Sequence, residues 1–335
     1  MKLIGFCAAL GLWLFSAVGM HQTLCLQAFP TSSPGNTTFR VSSNLILMDV
    51  VALNSKSGIF DQSLSKDDFQ VFDDDQSVPI RTFDSGPATR PLAVWFVLPC
   101  NEGDDKTLRS KISASDVPRF RPALDLLSQQ DLLGVAHWCD DGKSEIDLLP
   151  TNNADDAIEA IKRVLAPTSG TRPSLHQGAF WATLHSVIDN TFALSPERFP
   201  LVILLNDKST MPSWEAEYVV KQLLKTSTTI YAMQGRESSR RQTTWHNSQE
   251  VGTADCLANE TGGQVISVAP SAYEAGLRSI LYWAHSRYEL GFTPTVLDGK
   301  RHSLYVTLSQ TAKARHHGVT LRYRSQYFAT GSDAP

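Results

Sequence analysis

The 335-residue sequence lacks several features that would assign it to a functional class. It has no excess of basic residues, since 30 Lys and Arg stand against 34 Asp and Glu, for a net charge of −4. This balance gives no electrostatic reason to expect binding to nucleic acid or to an anionic membrane surface. Hydrophobic residues at 42% and charged residues at 19% are otherwise typical of a globular protein.

Short motifs with a known chemistry are missing as well. The five cysteines include no C-x-x-C pair, and no histidine pair lies near them at ligand spacing, which argues against a zinc motif. The serine-nucleophile motif G-x-S-x-G is also absent. After residue 18, no apolar stretch in the sequence is long enough to span a bilayer. These absences favour a non-enzymatic protein with no membrane span in its mature form.

Residues 1–19 are typical of a cleaved signal peptide. Lys2 precedes an apolar run over 3–18, and Ala17-Val18-Gly19 supplies the small residues of a cleavage site. The run is short for a membrane span, and an uncleaved anchor is the alternative. We therefore predict a protein that is secreted or located in the periplasm or cell envelope. Residues 20–38 are predicted to be a linker rich in Pro, Ser, Thr and Gly.

Two apolar runs predict the centre of the fold. They cover residues 91–100 (PLAVWFVLPC) and 199–207 (FPLVILLND), and neither alternates between polar and apolar residues. Strands covered by helices on both faces have this pattern, which indicates a parallel sheet. Ligands of such sheets bind at the carboxyl ends of the strands. The residues that follow these two strands are therefore the first candidates for function.

Between residues 90 and 286, helices and strands are predicted to alternate, which is typical of an α/β domain. Gly262 is expected to end one of these helices in the left-handed conformation. The predicted helices cover residues 116–130, 154–165 with Asn153 as N-cap, 174–188, 213–225 and 272–285. The further predicted strands cover residues 132–139, 145–149, 228–233 and 264–268.

The segments on either side of this domain have the pattern of β-strands. Residues 39–86 and 287–328 are each too small to be stable alone, and we expect them to pack together as one small β unit. The run Asp73-Asp74-Asp75 suggests calcium, but a hairpin turn is the favoured interpretation, because Asp tolerates the backbone angles of tight turns.

Several segments in this order resemble the von Willebrand factor A domain, and specifically the VWFA-related family described from Acidobacteria. They are KDDFQVFDDDQSVPIRTF, PLAVWFVLPCNEG, FPLVILLNDKST, CLANETGGQVISV and YELGFTPTVLDGKRHSLYVTL. The resemblance covers nearly all of the predicted mature chain. It implies a Rossmann-like α/β fold, in which a mostly parallel central sheet has helices on both faces. The predicted fold also includes a small β-sandwich-like unit formed by the terminal strands.

The resemblance also implies a metal-ion-dependent adhesion site at the carboxyl edge of the sheet, but the sequence departs from its pattern. Domains of this type often bind Mg²⁺ through Asp-x-Ser-x-Ser after the first strand, a later Thr and a further Asp. Here Pro99, Asn101 and Gly103 occupy the first three positions, and Asp207 is the one clear match. Mg²⁺ requires hard oxygen ligands in near-octahedral geometry. We therefore expect no metal cofactor, with Mg²⁺ at Asp207 as the alternative.

The predicted function is a secreted, non-catalytic interaction or adhesion module that binds an unidentified protein or cell-surface partner. One alternative is metal-dependent adhesion through a rebuilt acidic site, using Glu102, Asp104, Asp105 or Asp140. A second is a thiol-dependent enzyme in which Cys100 or Cys139 acts with His137 or His176. The edge proposed to bind the partner consists of Pro99, Cys100, Asn101, Glu102, Gly103, Asp140, Thr171, Ser174, His176 and Asp207.

Cys100 and Cys139 are also candidates for a disulfide. In an A-type sheet the first two long strands are parallel neighbours, and these cysteines end the two predicted strands. Neighbouring strands lie about 4.8 Å apart, within the Cα separation of roughly 4.4–6.8 Å that a disulfide accepts. The alternative is two buried thiols that behave as small apolar groups. A one-residue offset in register would separate the sulfurs.

Overall fold

The structure of the protein is a computed structural model that describes residues 45–86, 89–100, 112–139, 142–166, 178–194, 197–205, 210–235 and 250–329. The predicted signal peptide and the predicted linker lie outside these ranges. Within the ranges, no helix combines the length and the apolar character needed to cross a membrane.

The strands and helices of these residues follow one another in the order that the sequence pattern predicts, with a few exceptions given below. The strands are β1 (Ile46–Asn54), β2 (Phe69–Asp73), β3 (Gln76–Val78), β4 (Ile80–Ser85), β5 (Leu92–Pro99), β6 (Leu132–Trp138), β7 (Ser144–Thr151), β8 (Phe199–Leu205), β9 (Thr210–Pro212), β10 (Thr229–Gly235), β11 (Glu250–Gly252), β12 (Val265–Val268), β13 (Tyr288–Phe292), β14 (Arg301–Leu308), β15 (Val319–Arg322) and β16 (Gln326–Phe328). The helices are α1 (Arg121–Leu124), α2 (Ala154–Leu165), α3 (Gly178–Leu194), α4 (Ser213–Lys225), α5 (Thr253–Thr261), α6 (Tyr273–Ser286) and α7 (Gln310–Arg315).

The central sheet has six strands in the order β12-β10-β8-β5-β6-β7. All neighbouring pairs are parallel except β6 and β7, which are antiparallel. β5 and β8, the two apolar runs, are paired at the centre and are buried along nearly their whole length. This order, with an antiparallel strand at one edge and helices on both faces, confirms the predicted Rossmann-like fold of von Willebrand factor A type.

Each face of the sheet has its own apolar core. On β5, Leu92, Phe96 and their alternate neighbours face a core that includes α1, α2 and α6. Trp95 and Val97 face the opposite core, beneath α3, α4 and α5. Because both faces of the strand are covered, apolar residues are required at consecutive positions, which explains the absence of alternation in the sequence.

Strands from the two ends of the described chain form two antiparallel sheets. One has the order β15-β1-β13-β4 and the other β16-β14-β2-β3. Each sheet therefore contains strands that precede the α/β domain and strands that follow it. The inward residues of both sheets, among them Met48, Val71, Leu290 and Val306, share one apolar core. We call these two sheets together the β unit.

Local sequence signals set several element ends as predicted. Asn153 caps α2, its side-chain oxygen accepting a hydrogen bond from the Asp155 amide at 3.0 Å. Gly262 ends α5 with φ +84°, and a Cβ there would lie 2.5 Å from the Arg324 backbone nitrogen. Asp74 and Asp75 form the β2–β3 turn with φ of 44° and 66°, which confirms the turn interpretation.

The prediction of a long helix over 116–130 is wrong. The structure has a 3-10 turn at Val117–Phe120 and the single-turn helix α1. Pro118 and Pro122 carry no amide hydrogen, so neither can donate in a helical hydrogen-bond ladder.

Other differences concern boundaries and four missed elements. The strand predicted at 145–149 is the longer β7, and the helix predicted at 174–188 is observed as α3, whose described part continues to Leu194. The sequence pattern missed α7 and the short strands β9, β11 and β16. The sequence contains a signal for α7, because serine is a preferred N-cap residue and Ser309 occupies that position. In the structure its side chain accepts a hydrogen bond from the Ala312 amide.

Candidate functional site

The carboxyl edge of the central sheet is defined by the ends of β5 and β6. Pro99, the last residue of β5, pairs with Trp138, the last residue of β6. The Cys100 amide donates a hydrogen bond to the Trp138 carbonyl at 2.8 Å, which continues the pairing one residue further. The register therefore places Cys100 and Cys139 side by side.

Cys100 and Cys139 are joined by a disulfide in the structure, with their Cα atoms 5.2 Å apart. This distance lies within the range that a disulfide normally spans. Cys139 is buried, and its amide donates to the Lys143 carbonyl at 2.9 Å in the turn between β6 and β7. The bridge therefore connects the ends of two adjacent central strands and lies close to the β6–β7 turn.

The other residues predicted for this edge lie outside the described part of the chain. Pro99 is described and half-buried, and its side chain offers no oxygen to a metal ion. The residues that are not described are Asn101, Glu102, Gly103, Asp104, Asp105, Asp140, Thr171, Ser174, His176 and Asp207.

His137 belongs to a polar cluster next to the disulfide. Its Nδ1 lies 2.7 Å from Asp147 Oδ2, and the Glu145 carboxylate offers a third ligand atom within 4.8 Å of the others. The sequence suggested His137 as a partner for a cysteine thiol, whereas the structure pairs it with Asp147 on the edge strand β7. One imidazole and two carboxylates are ligands that suit a transition metal.

Trp138 and Trp181 belong mainly to the packing beneath the edge. Trp138 is 6% exposed and contacts Phe180 edge-on at 4.8 Å between ring centroids. Phe180 in turn contacts Trp181 at 4.7 Å, and Trp181 is only partly buried. The aromatic stack therefore positions α3 against the sheet.

A second cluster of acidic residues and histidine, missed by the sequence pattern, lies in the β unit. Asp73, Asp74 and His302 place their ligand atoms within 4.8 Å of one another. A signal for it was present: β14 alternates between exposed and buried residues, and His302 occupies one of its inward positions. A histidine in such a position indicates a buried polar partner.

A cavity of about 600 Å³ lies at the opposite end of the sheet from the disulfide. It is lined by residues that precede β5 and β6 and by the end of α6, including Pro91, Asp131 and His285. Burial alone would raise the pKa of Asp131, but the His285 side chain 3.3 Å away and hydrogen bonds from the Leu92 and Ser128 amides lower it to about 2. The Asp131 carboxylate accepts a hydrogen bond from the Leu92 amide at 2.6 Å, and this bond fixes the start of β5.

Comparison with solved structures finds proteins of low sequence identity to this chain. A von Willebrand factor type A protein from Catenulispora acidiphila is 13% identical, with 86% of this chain and 73% of that chain covered and a TM-score of 0.41. BatB from Bacteroides thetaiotaomicron is 13% identical, with coverages of 58% and 100% and a TM-score of 0.36. The SpRpn10 VWA domain is 9% identical, with coverages of 57% and 94% and a TM-score of 0.37.

No protein-family profile and no curated protein matches the sequence. The fold assignment therefore rests on the strand order and helix placement given above.

Proposed function

We propose that the protein is an exported, non-catalytic interaction module that binds a protein or cell-surface partner through the carboxyl edge of its central sheet. The observation that supports this most is the Cys100–Cys139 bridge at the ends of β5 and β6. Ligands of open α/β sheets bind at this edge. A covalent link between neighbouring strand ends gives such an edge a fixed shape without a bound ion.

A metal-independent mode of binding agrees with the residue at the end of β5. The resemblance implies an Asp at the position of Pro99, and Mg²⁺ binding depends on several oxygen ligands in near-octahedral geometry. The Pro99 side chain supplies no oxygen ligand, and its paired residue Trp138 is buried in the core. In this proposal the disulfide organises the strand ends that a metal ion organises in other domains of this type.

The bridge also argues against the thiol-enzyme alternative. A cysteine nucleophile must be a thiolate, and a sulfur in a disulfide is not one. His137, the suggested base, lies against Asp147. Labelling with thiol- and serine-directed probes, followed by peptide mapping, tests this point, and we expect neither Cys100 nor Cys139 nor any serine to react stoichiometrically in the oxidised protein.

Export is part of the proposal, because disulfides persist in oxidising compartments. The basic start, the apolar run and the small residues at 17–19 support it. N-terminal sequencing of the exported protein should find the mature chain beginning near residue 20. A chain that still begins at Met1 would contradict this part.

The edge itself is tested by site-specific photo-cross-linking. A photoreactive amino acid is placed at Glu102, which follows β5, and in a matched control at Gln130, an exposed residue just before β6. Mature protein is incubated with cell-envelope and culture fractions and irradiated. We expect one dominant adduct from position 102 and none from position 130. Equal labelling from both positions, or none from 102, would exclude the edge as the binding surface.

A further inference from the structure

We propose that Asp73, Asp74 and His302 form a binding site for a divalent transition-metal ion of the Zn²⁺ or Mn²⁺ class. Asp73 ends β2, Asp74 begins the turn that follows it, and His302 lies on the paired strand β14. Their ligand atoms all lie within 4.8 Å of one another. The site is in the β unit and is independent of the proposed partner-binding edge.

The orientation of His302 is the observation that points to a cation. Its side chain is 8% exposed, and its Nε2 lies 3.0 Å from Asp298 Oδ1. Metal-ligating histidines normally donate their second ring nitrogen to a carboxylate or carbonyl, and Asp298 is placed to accept from Nε2 in this way. In that tautomer the other nitrogen, Nδ1, directs a lone pair towards Asp73 and Asp74.

Nδ1 makes no hydrogen bond of acceptable geometry with any residue that the structure describes. It lies 2.7 Å from Asp74 Oδ2 and 3.6 Å from Asp73 Oδ1. A lone pair facing two carboxylates is repulsive in a buried place unless a positive charge lies between them. A metal ion held by all three groups supplies that charge. A proton on Nδ1 is the competing occupant, and the experiment below separates the two.

Both carboxylates are held in place by other groups, as metal ligands usually are. The Asp73 side chain is fully buried, and its Oδ2 accepts hydrogen bonds from the Thr295 amide at 3.0 Å and hydroxyl at 2.9 Å. Its Oδ1 accepts the Tyr327 hydroxyl at 2.7 Å. Asp74 Oδ1 accepts the Ser303 amide at 2.8 Å, which turns Oδ2 towards His302.

The ligand types decide the class of metal. One imidazole nitrogen with two carboxylate oxygens suits Zn²⁺ or Mn²⁺, whereas Ca²⁺ takes six to eight oxygens. The Asp74 side chain is 52% exposed, so water can reach the site and complete the coordination shell. Asp74 and Ser303 are 229 residues apart in sequence. A metal here would therefore join the two halves of the β unit and stabilise the folded state.

The test is calorimetric titration of tag-free, metal-stripped mature protein with Zn²⁺, Mn²⁺, Mg²⁺ and Ca²⁺, combined with thermal unfolding at each metal concentration. We expect Zn²⁺ or Mn²⁺ to bind and to raise the melting temperature, and Asp74→Asn to weaken this affinity more than tenfold. Asn also tolerates the positive φ of residue 74, so the turn should be preserved. His302→Gln should abolish binding at this site, and Asp298→Asn should weaken it about 10–100-fold.

Two variants serve as controls. His316→Gln removes a matched histidine of the β unit, whose Nδ1 lies 2.8 Å from Asp61, and should leave the affinity unchanged. His137→Gln removes the ligand of the other cluster and should also leave it unchanged. The proposal is wrong if neither Zn²⁺ nor Mn²⁺ binds, if binding survives Asp74→Asn undiminished, or if His137→Gln abolishes it. Circular dichroism confirms that each variant is folded.

Discussion

The α/β domain and the β unit are held together in different ways. The parallel sheet consists of apolar strands that pack against helices on both faces. Among the described residues of this domain the buried charged side chain is Asp131, and the other buried polar side chains are uncharged. The β unit combines strands from the two ends of the chain and contains buried charges, among them Asp73, Arg287, Glu289 and His302. Apolar burial is non-directional, whereas a buried ion pair is favourable in one arrangement only. We expect these charges to restrict the strand register of the β unit more than apolar contacts alone would.

Arg287 shows how these charges connect the two regions. Its Nε lies 2.7 Å from Asp49 on β1, and its Nη2 donates to the Arg90 carbonyl at 2.7 Å, next to β5. The guanidinium also covers the Phe199 ring, 4.2 Å from its centroid. One buried side chain thus contacts the β unit and the start of two central strands.

Arg287→Met is expected to cause the largest loss in the free energy of unfolding, because it removes a buried charge that connects the two regions. Asp49, whose side chain is 11% exposed, would lose its closest cation and keep Arg90 at 3.7 Å. Losing one partner of a buried pair costs about 3–5 kcal/mol. Urea unfolding measures the change. The double variant Asp49→Leu/Arg287→Met should recover part of the loss, because no unpaired charge then remains. A loss below about 1 kcal/mol in Arg287→Met would show that the pair is not needed.

Removal of the disulfide is expected to have the next largest effect. Cys100 and Cys139 are 39 residues apart, and a bridge that closes a loop of this length stabilises by about 2–4 kcal/mol. Reductant should lower the free energy of unfolding of the wild type by this amount and leave the Cys100→Ser/Cys139→Ser variant unchanged. Alkylation of denatured, unreduced protein with peptide mapping gives the oxidation state directly. Alkylation of both residues without reductant would contradict the bridge.

The pH dependence of unfolding tests how much the buried charge of Asp131 stabilises the α/β domain. The pKa of Asp131 is lowered from 3.8 to about 2 in the folded protein, so the unfolded chain takes up the proton first as the pH falls. The stabilisation, about 2 kcal/mol, is complete above pH 4 and is lost between about pH 4 and pH 2. Asp131→Asn should therefore be less stable than wild type at pH 6, and the difference should shrink towards pH 2. A difference that is constant with pH would be evidence against this role.

The smallest expected effect concerns a helix cap in the α/β domain. Asn153→Ala removes the acceptor of the Asp155 amide at the start of α2 and should cost about 1 kcal/mol. Asn153→Asp, which keeps the acceptor, should be nearly neutral. Chemical denaturation of both variants provides the measurement, and equal losses would mean that the cap is not the cause.

The sequence predicted the α/β domain well because its signals are local. The runs over 91–100 and 199–207, the cap at Asn153 and the glycine at 262 each act within a few residues of their position. The helix predicted over 116–130 is wrong, because Pro118 and Pro122 cannot donate in a helical hydrogen-bond ladder. The fold class could thus be inferred, but the length of this connection could not.

The sites were harder to predict, because their residues meet only in the folded protein. Cys100 and Cys139 could be proposed as neighbours, but the pairing of Pro99 with Trp138, which sets their register, is a property of the sheet. The Asp73–Asp75 run was correctly interpreted as a turn, yet nothing near it in sequence indicated that His302 lies opposite. Contacts between residues more than 200 positions apart depend on the pairing of β2 with β14.

The central claim is that the binding edge is organised by a disulfide and not by a metal ion. The most direct measurement is the cross-linking yield from position 102 to the partner, compared in untreated protein, in EDTA and after reduction. The Asp74→Asn variant is given the same EDTA and reductant treatments. An effect of EDTA that is seen in the wild type but not in this variant comes from the metal site proposed in the β unit. We predict an unchanged yield in EDTA and a reduced yield after reduction or in Cys100→Ser/Cys139→Ser. A yield abolished by EDTA and unaffected by reduction would contradict the account.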